Sequence, residues 1–214
     1  MRFLITAGPT REALDPVRFL SNRSSGRMGF ALAEAARDKG HDVVLICGPV
    51  CLQPPQGVRV IAVVSAAEMC AEVEREVEGC DALVMAAAVA DWRPAEVRAQ
   101  KIKKSEAAPV IRLEPTPDIL RHIAARKGGR CFVGFAAETE QLESEARRKL
   151  TEKNLDLIVA NDVTKPGSGF DTETNEVLLV GADGSVQKLP LMPKRLVADR
   201  VVAWIEQHAM HRSE

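Results

Sequence analysis

RFLITAGPT (residues 2–10) and, after a short polar stretch, SNRSSGRMGFALAEAARDKGHDVVLIC (residues 21–47) decide the fold. Phe3 to Ala7 is a short β-rich apolar run. Gly29 to Lys39 has helical spacing with Gly40 where a helix C-terminal glycine is expected, and Asp42 to Cys47 is a second apolar run. The same alternation continues through apolar runs at Val58 to Val64, Ala82 to Ala88, Cys131 to Ala136 and Leu155 to Ala160, with helical patterns at Ala66 to Val77, Pro117 to Ala125 and Gln141 to Lys153. The pattern predicts an α/β fold: a doubly wound, mostly parallel, Rossmann-like sheet that binds ligands at the carboxyl ends of its strands.

After Asn161 the pattern changes. Glu176 to Val180 and Ser185 to Leu189 bracket Asp183-Gly184, a hairpin signal, so an antiparallel extension over about residues 167–190 is expected. Lys194 to His208 then reads as an amphipathic helix. The polar, lysine-rich stretch from Pro94 to Pro109 has no strong periodicity and is expected to be a mobile flap beside the sheet. The whole, residues 1–214, reads as a single domain.

Charge and composition narrow the partners. With 29 basic against 30 acidic side chains and no long block of either sign, nucleic acid and membrane surfaces are disfavoured, and small molecules or copies of the chain are expected. No apolar stretch has membrane-spanning length or the form of a signal peptide. Five cysteines, without a CxxC pair, suit reduced thiols in a cytoplasmic protein.

The first strand empties into Gly8-Pro9-Thr10, and the loop Asn22-Arg23-Ser24-Ser25-Gly26 leads into the first helix. Hydroxyls, glycines and a helix amino end form either an anion cradle or an ordinary cap on a long loop. Neither GxGxxG nor GxxxxGK[ST] occurs, which disfavours a standard NAD site and removes a P-loop. Ala86, Ala87 and Ala88 end the fourth strand, leaving room for a ligand against the backbone or for tight helix packing, and Asp91 follows at the tip. Lys101, Lys103 and Lys104 could neutralise phosphates or form a solvated face. Lys149 and Lys153 share a helix face; Phe135 could stack on a base or sit in the core; the Pro117-Asp118-Ile119-Leu120 turn could offer amides to a ligand. Four histidines without metal spacing, and no HExxH or Ser/His/Asp signature, give no support to metal hydrolysis or triad chemistry, so no protein-held metal site is expected.

The wording and order of these pieces closely resemble the phosphopantothenate–cysteine ligase family: ITAGPTRE (5–12), DPVRFLSNRSSGRMG (15–29), AAAVADWRP (86–94), KIKK (101–104), TPDIL (116–120), GFAAET (134–139) and ANDV (160–163), spread over nearly the whole chain. The resemblance implies a ligase joining 4'-phosphopantothenate to cysteine in coenzyme A synthesis, through an acyl-cytidylate made from CTP with Mg²⁺. It implies nucleotide contacts at Met85, Ala86, Ala87, Asp91, Lys101, Pro117 to Leu120, Phe135, Lys149 and Lys153, with Lys101 stabilising charge during activation. Asn22 is implied in converting the acyl intermediate, with Gly8, Ser24, Ser25, Gly26 and Ala88 about that intermediate. The bacterial wording favours CTP over ATP. Arg27 stands where the family often has lysine, and Glu114-Pro115 where a basic residue is common.

A homodimer is expected because the late hairpin resembles the family's dimerisation element, with the flap closing over the site. The flavin-dependent decarboxylase half found in bifunctional relatives is missing from this sequence, so the chain is expected to be a monofunctional ligase or an excised domain. Two rivals share the α/β pattern. A short-chain NAD(P) oxidoreductase needs a Tyr-x-x-x-Lys pair, and the chain has no tyrosine. A nucleotide-sensing domain without turnover would have no use for Asn22 and Lys101 together.

Overall fold

Every other residue of a strand faces the same way, and here both faces are apolar. Phe3, Ile5 and Ala7 join Val43, Leu45 and Cys47 in one core, while Leu4 joins Val44 and Ile46 in the other. Helices must therefore cover both sides. The computed structural model describes residues 1–104, 110–138, 141–165 and 167–210. Residues 105–109 of the expected flap, and Thr139 of GFAAET, lie outside them.

The elements in chain order are β1 (Arg2–Ala7), β2 (Arg11–Ala13), β3 (Phe19–Ser21), α1 (Arg27–Asp38), β4 (Asp42–Cys47), β5 (Arg59–Ala62), α2 (Ala66–Glu76), β6 (Ala82–Met85), β7 (Trp92–Pro94), β8 (Leu113–Pro115), α3 (Ile119–Ile123), β9 (Cys131–Glu138), α4 (Leu142–Glu152), β10 (Leu157–Asp162), β11 (Thr174–Gly181), β12 (Val186–Pro193) and α5 (Lys194–Met210). Among the described residues, eight strands form the main sheet in the order β12-β11-β10-β9-β6-β1-β4-β5. The six from β10 to β5 are parallel, and β11 and β12 add the antiparallel edge. Helices α1 and α5 cover one face and α2, α3 and α4 the other. The chain winds outward from β1 through β4 to β5, then returns to β6 on the other side of β1, so the carboxyl ends of β1 and β6 flank the topological switch point.

Local chemistry sets the ends of the helices. Gly40 has φ +82. Its N–H donates to Arg37 O at 2.8 Å and that of His41 to Ala36 O at 3.1 Å, a Schellman closure. Asn154, at φ 50, closes α4 the same way, with the Leu155 N–H donating to Leu150 O at 2.9 Å. That closure takes Leu155 out of the strand, which starts at Leu157 instead.

Other boundaries also differ from expectation. The run Val58 to Val64 narrows to β5. The helix expected over Pro117 to Ala125 shrinks to five residues, because Asp118 caps it and a tighter turn over Ala124–Arg126 ends it. β6 stops at Met85, since the alanines beyond it pair with the loop after β1 through only one bridge, Pro9 to Ala88. The two-stranded sheets β2–β3 and β7–β8 were not expected: three residues per strand are too few to show an alternation.

Gly29, in the first turn of α1, lies against β1. A Cβ there would sit 2.5 Å from Ala7 Cβ and 2.9 Å from Thr6 O. Gly29→Ala is expected to lower stability by about 1–3 kcal/mol, read as a fall in the urea midpoint at unchanged slope; an unshifted midpoint would show that α1 can lift off β1 freely. No helix among the described residues is long and apolar enough to cross a membrane.

Candidate active site

The cleft at the switch point is built by backbone that continues past the strand ends. Ala88 N–H donates to Gly8 O at 2.9 Å, and Ala87 N–H to the Thr6 hydroxyl at 3.1 Å. Ala90 N–H donates to the Thr10 hydroxyl at 3.0 Å. The segment after β6 is thus held against the segment after β1 as an extended shelf whose side chains from Ala86 to Ala88 are only methyl groups. Thr116 N–H donates to Asp91 O at 3.0 Å and brings the turn before α3 to the shelf.

A cavity of about 360 Å³ opens above this shelf. Its lining includes Met85, Ala86, Ala87, Asp91, the Pro117 to Leu120 turn, Phe135, Lys149, Lys153, Asn22, Ser24, Gly26 and Ala88. These residues come from β6 and β9, from α3 and α4 and from the connecting loops, and the family resemblance had already implied all of them in the site. The Asn22 carboxamide donates to Ala88 O and Val89 O, both at 3.1 Å, so the loop before α1 is fastened to the shelf by that side chain.

Three assigned residues lie elsewhere. Gly8 is beneath the shelf, where its carbonyl holds Ala88. Ser25 turns away to donate to Phe170 O at 2.7 Å. Lys101 is exposed and does not line the cavity. Its neighbour Ile102 is pinned: its N–H donates to Asp15 Oδ2 at 3.1 Å and its carbonyl accepts from Arg18 at 2.9 Å. The Arg18 guanidinium in turn holds the Asp15 carboxyl far below the usual carboxylate range.

Neither serine caps α1. The N-cap is Gly26, at φ 82, without a side-chain cap hydrogen bond, and Ser24 Oγ instead accepts from Gly26 N–H at 3.3 Å. The first-turn amides of α1, which have no partner inside the helix, are left toward the cavity with the positive end of the helix dipole. By contrast, the short α3 spends its amide on Asp118, whose carboxylate accepts from Arg121 N–H at 3.2 Å, so the expected amide site at that turn is partly self-satisfied.

The sequence reading missed one whole wall. Asn161 at the end of β10, Gly169 and Phe170 in the following loop, Asn175 on β11 and Lys194 at the start of α5 complete the cavity opposite the shelf. Only ANDV pointed there, and only by resemblance. Arg27, noted solely as a departure, also lines the cavity and pairs with Glu173 at 2.7 Å.

Four cations, Arg27, Lys149, Lys153 and Lys194, face two carboxylates, Asp91 and Asp118. Three of the cations are already ion-paired, Arg27 with Glu173, Lys149 with Glu138 and Lys153 with Asp118 at 3.4 Å, and Lys194 donates to backbone carbonyls. The balance suits a polyanionic ligand, which would take over these lysines from their carboxylates. No group of three or more His, Cys, Asp or Glu among the described residues could hold a metal ion.

Residues 1–209 match the family of the DNA/pantothenate metabolism flavoprotein C-terminal domain. The coenzyme A biosynthesis bifunctional protein CoaBC of Bacillus subtilis (strain 168) is 49% identical over 192 residues, covering 89% of this chain and 47% of that protein. CoaBC of Vibrio cholerae serotype O1 is 49% identical over 209 residues, covering 96% of this chain and 52% of that protein. The chain therefore spans about half the length of these curated relatives. The crystal structure of the C-terminal domain of CoaBC, 42% identical, superposes with a TM-score of 0.84 over 100% of this chain and 98% of that one. In fold and in sequence alike, the chain belongs to the DNA/pantothenate metabolism flavoprotein C-terminal domain family.

Proposed function

We propose that the chain is a phosphopantothenate–cysteine ligase acting in coenzyme A synthesis. The carrying observation is one cavity at the switch point on which the Asn22 loop, the alanine shelf and the Lys149 and Lys153 pair converge, in a chain whose relatives are bifunctional coenzyme A proteins.

The reaction suits these residue types. CTP lies with its base by Phe135 and its triphosphate toward Lys149 and Lys153. An oxygen of the 4'-phosphopantothenate carboxylate attacks the α-phosphorus, the bond to the β-phosphate breaks, and pyrophosphate leaves. The amine of cysteine then attacks the acyl carbon, the carbon–oxygen bond to CMP breaks, and the amine gives up a proton as the amide forms. The mixed anhydride is already reactive, so no protein nucleophile is needed; the chain contributes position and charge neutralisation. Mg²⁺ accompanies the triphosphate and offsets its charge, with Asp91 and Asp118 as the cavity carboxylates able to hold its water shell. Lys101 approaches from the flap during activation, and Asn22 serves the second half-reaction.

A cytoplasmic homodimer is part of this reading. Val186 and Leu191 on the late hairpin, and the larger group of Val17, Phe19, Trp92 and Leu113 about β2–β3 and β7–β8, are exposed apolar side chains that a second copy would cover. The flavin-dependent decarboxylase is the proposed companion activity, in the part of the relatives that this chain does not span.

The test supplies 4'-phosphopantothenate and Mg²⁺ with CTP or ATP, first without cysteine and then with it. Pyrophosphate and a trapped acyl-cytidylate are expected first, then CMP and the amide. No pyrophosphate from either nucleotide would overturn the ligase reading, and equal use of both would overturn the preference for CTP.

A further inference from the structure

Lys194 is the first residue of α5 and is 5% exposed, yet no carboxylate pairs with it among the described residues. A cation at a helix amino end opposes the dipole, and burial of an unpaired charge is unfavourable. Its ammonium is nevertheless fully used: it donates to Gly169 O at 2.8 Å, to Phe170 O at 3.4 Å and to Thr172 O. These carbonyls belong to the loop between β10 and β11, which forms the cavity wall opposite the alanine shelf.

Other contacts complete a junction around that loop. Phe170 O also accepts from Ser25 Oγ, on the loop before α1. Gly169 N–H donates at 3.2 Å to the Oδ1 of buried Asn175, which also accepts from Asn161 Nδ2 at 3.3 Å. Three segments thus meet at the loop, and among the described residues only Lys194 reaches three of its carbonyls.

We infer that Lys194 is a positioning residue for the acid substrate: its ammonium gathers the Gly169 to Thr172 carbonyls so that Gly169 and Phe170 stand as the wall against which the phosphopantothenoyl group is held. This rests on the ligase reading. Lys149 on α4 and Lys153 at its end, across the sheet from α5, make no hydrogen bond to this junction among the described residues. The effect is therefore one-sided.

Burial, with the Arg27 charge from α1 adding to it, pushes the Lys194 ammonium down to about 8, while Glu173 and Asp171 of the loop act in the opposite direction. The ammonium holds all three carbonyls below that pH and loses a donor and its charge above it. The KM for the acid should then rise above about pH 8.

The experiment measures pyrophosphate release without cysteine, which removes cysteine's own titration, in the intact protein and in Lys194→Met and Phe170→Ala. Lys194→Met should raise the KM for phosphopantothenate about tenfold or more, with kcat and the KM for CTP within about twofold, and should flatten the alkaline rise. Phe170→Ala, which changes a half-exposed ring, should raise the same KM alone. KM values for acid and CTP that rise together, or an unmoved acid KM in folded Lys194→Met, would overturn the assignment. Should Lys194→Met fail to fold, Phe170→Ala decides by the same criterion. A wild-type protein that releases no pyrophosphate fails the ligase reading itself and this inference with it.

Discussion

Lys101→Gln is expected to slow pyrophosphate release about a hundredfold or more at saturating CTP, without moving the melting temperature. When the carboxylate attacks the α-phosphorus, negative charge gathers on the departing pyrophosphate. A lysine ammonium is a compact point charge suited to meet it. Glutamine keeps hydrogen-bond donors and much of the length but carries no charge, so the loss would report charge alone.

The fold should not notice the change, because Lys101 is exposed and has no ion-pair partner among the described residues. Lys101 lies outside the cavity, but the backbone beside it is anchored, since Asp15 and Arg18 grip both the N–H and the carbonyl of Ile102. The ammonium therefore swings on a short tether from a fixed point. Lys149 and Lys153 already line the cavity, so their substitution should act mainly on the KM for CTP. Quenched-flow measurement of pyrophosphate without cysteine checks the expectation, and an unchanged single-turnover rate would remove Lys101 from activation.

Asn22→Asp is expected to leave the first half-reaction within a few-fold and to slow amide formation about a hundredfold, so that acyl-cytidylate accumulates. The reason is in the present contacts of Asn22. Its carboxamide nitrogen donates to two carbonyls of the shelf, Ala88 O and Val89 O. A carboxylate has no hydrogen to give, and its charge would face both carbonyl oxygens at close range. The loop before α1 would be driven off the shelf at the place where the acyl carbon must meet cysteine. Lys149, Lys153 and Phe135 make no hydrogen bond to Asn22 among the described residues and should still bind and orient CTP. Mass spectrometry of the quenched reaction with cysteine present reads the outcome: a burst of pyrophosphate with persistent acyl-cytidylate is expected, and normal amide turnover would refute the role.

Most of the cavity was legible in the sequence because its residues sit where short-range signals end. Asn22, Ser24 and Gly26 precede a strongly periodic helix, and the alanines end an apolar run. The Pro117 turn precedes another helix, and Phe135 lies within β9, one residue beyond the point where its neighbour β6 ends. In a doubly wound sheet all carboxyl ends share one rim, so strand ends pointed to a common rim, but it was the family resemblance that implied these residues in one site, since each alone read equally as core, cap or packing. Ser25 shows where that logic stops. A serine before a helix reads as part of a cap, but the chain puts glycine at the cap in a left-handed conformation and sends the Ser25 hydroxyl to Phe170, across 145 residues.

Periodicity and turn chemistry in the sequence alone determined the alternating elements, the two-faced sheet, the Gly40 stop and the antiparallel hairpin at Asp183-Gly184, since each depends on neighbours within a few residues. Tertiary structure alone decided the strand order, the far wall of the cavity and the burial of Lys194. No local pattern marks a lysine at the start of an amphipathic helix as anything but solvent-facing. It becomes buried, and takes up carbonyls 22 to 25 residues away, only because β11 and β12 bring α5 back beside the loop that follows β10.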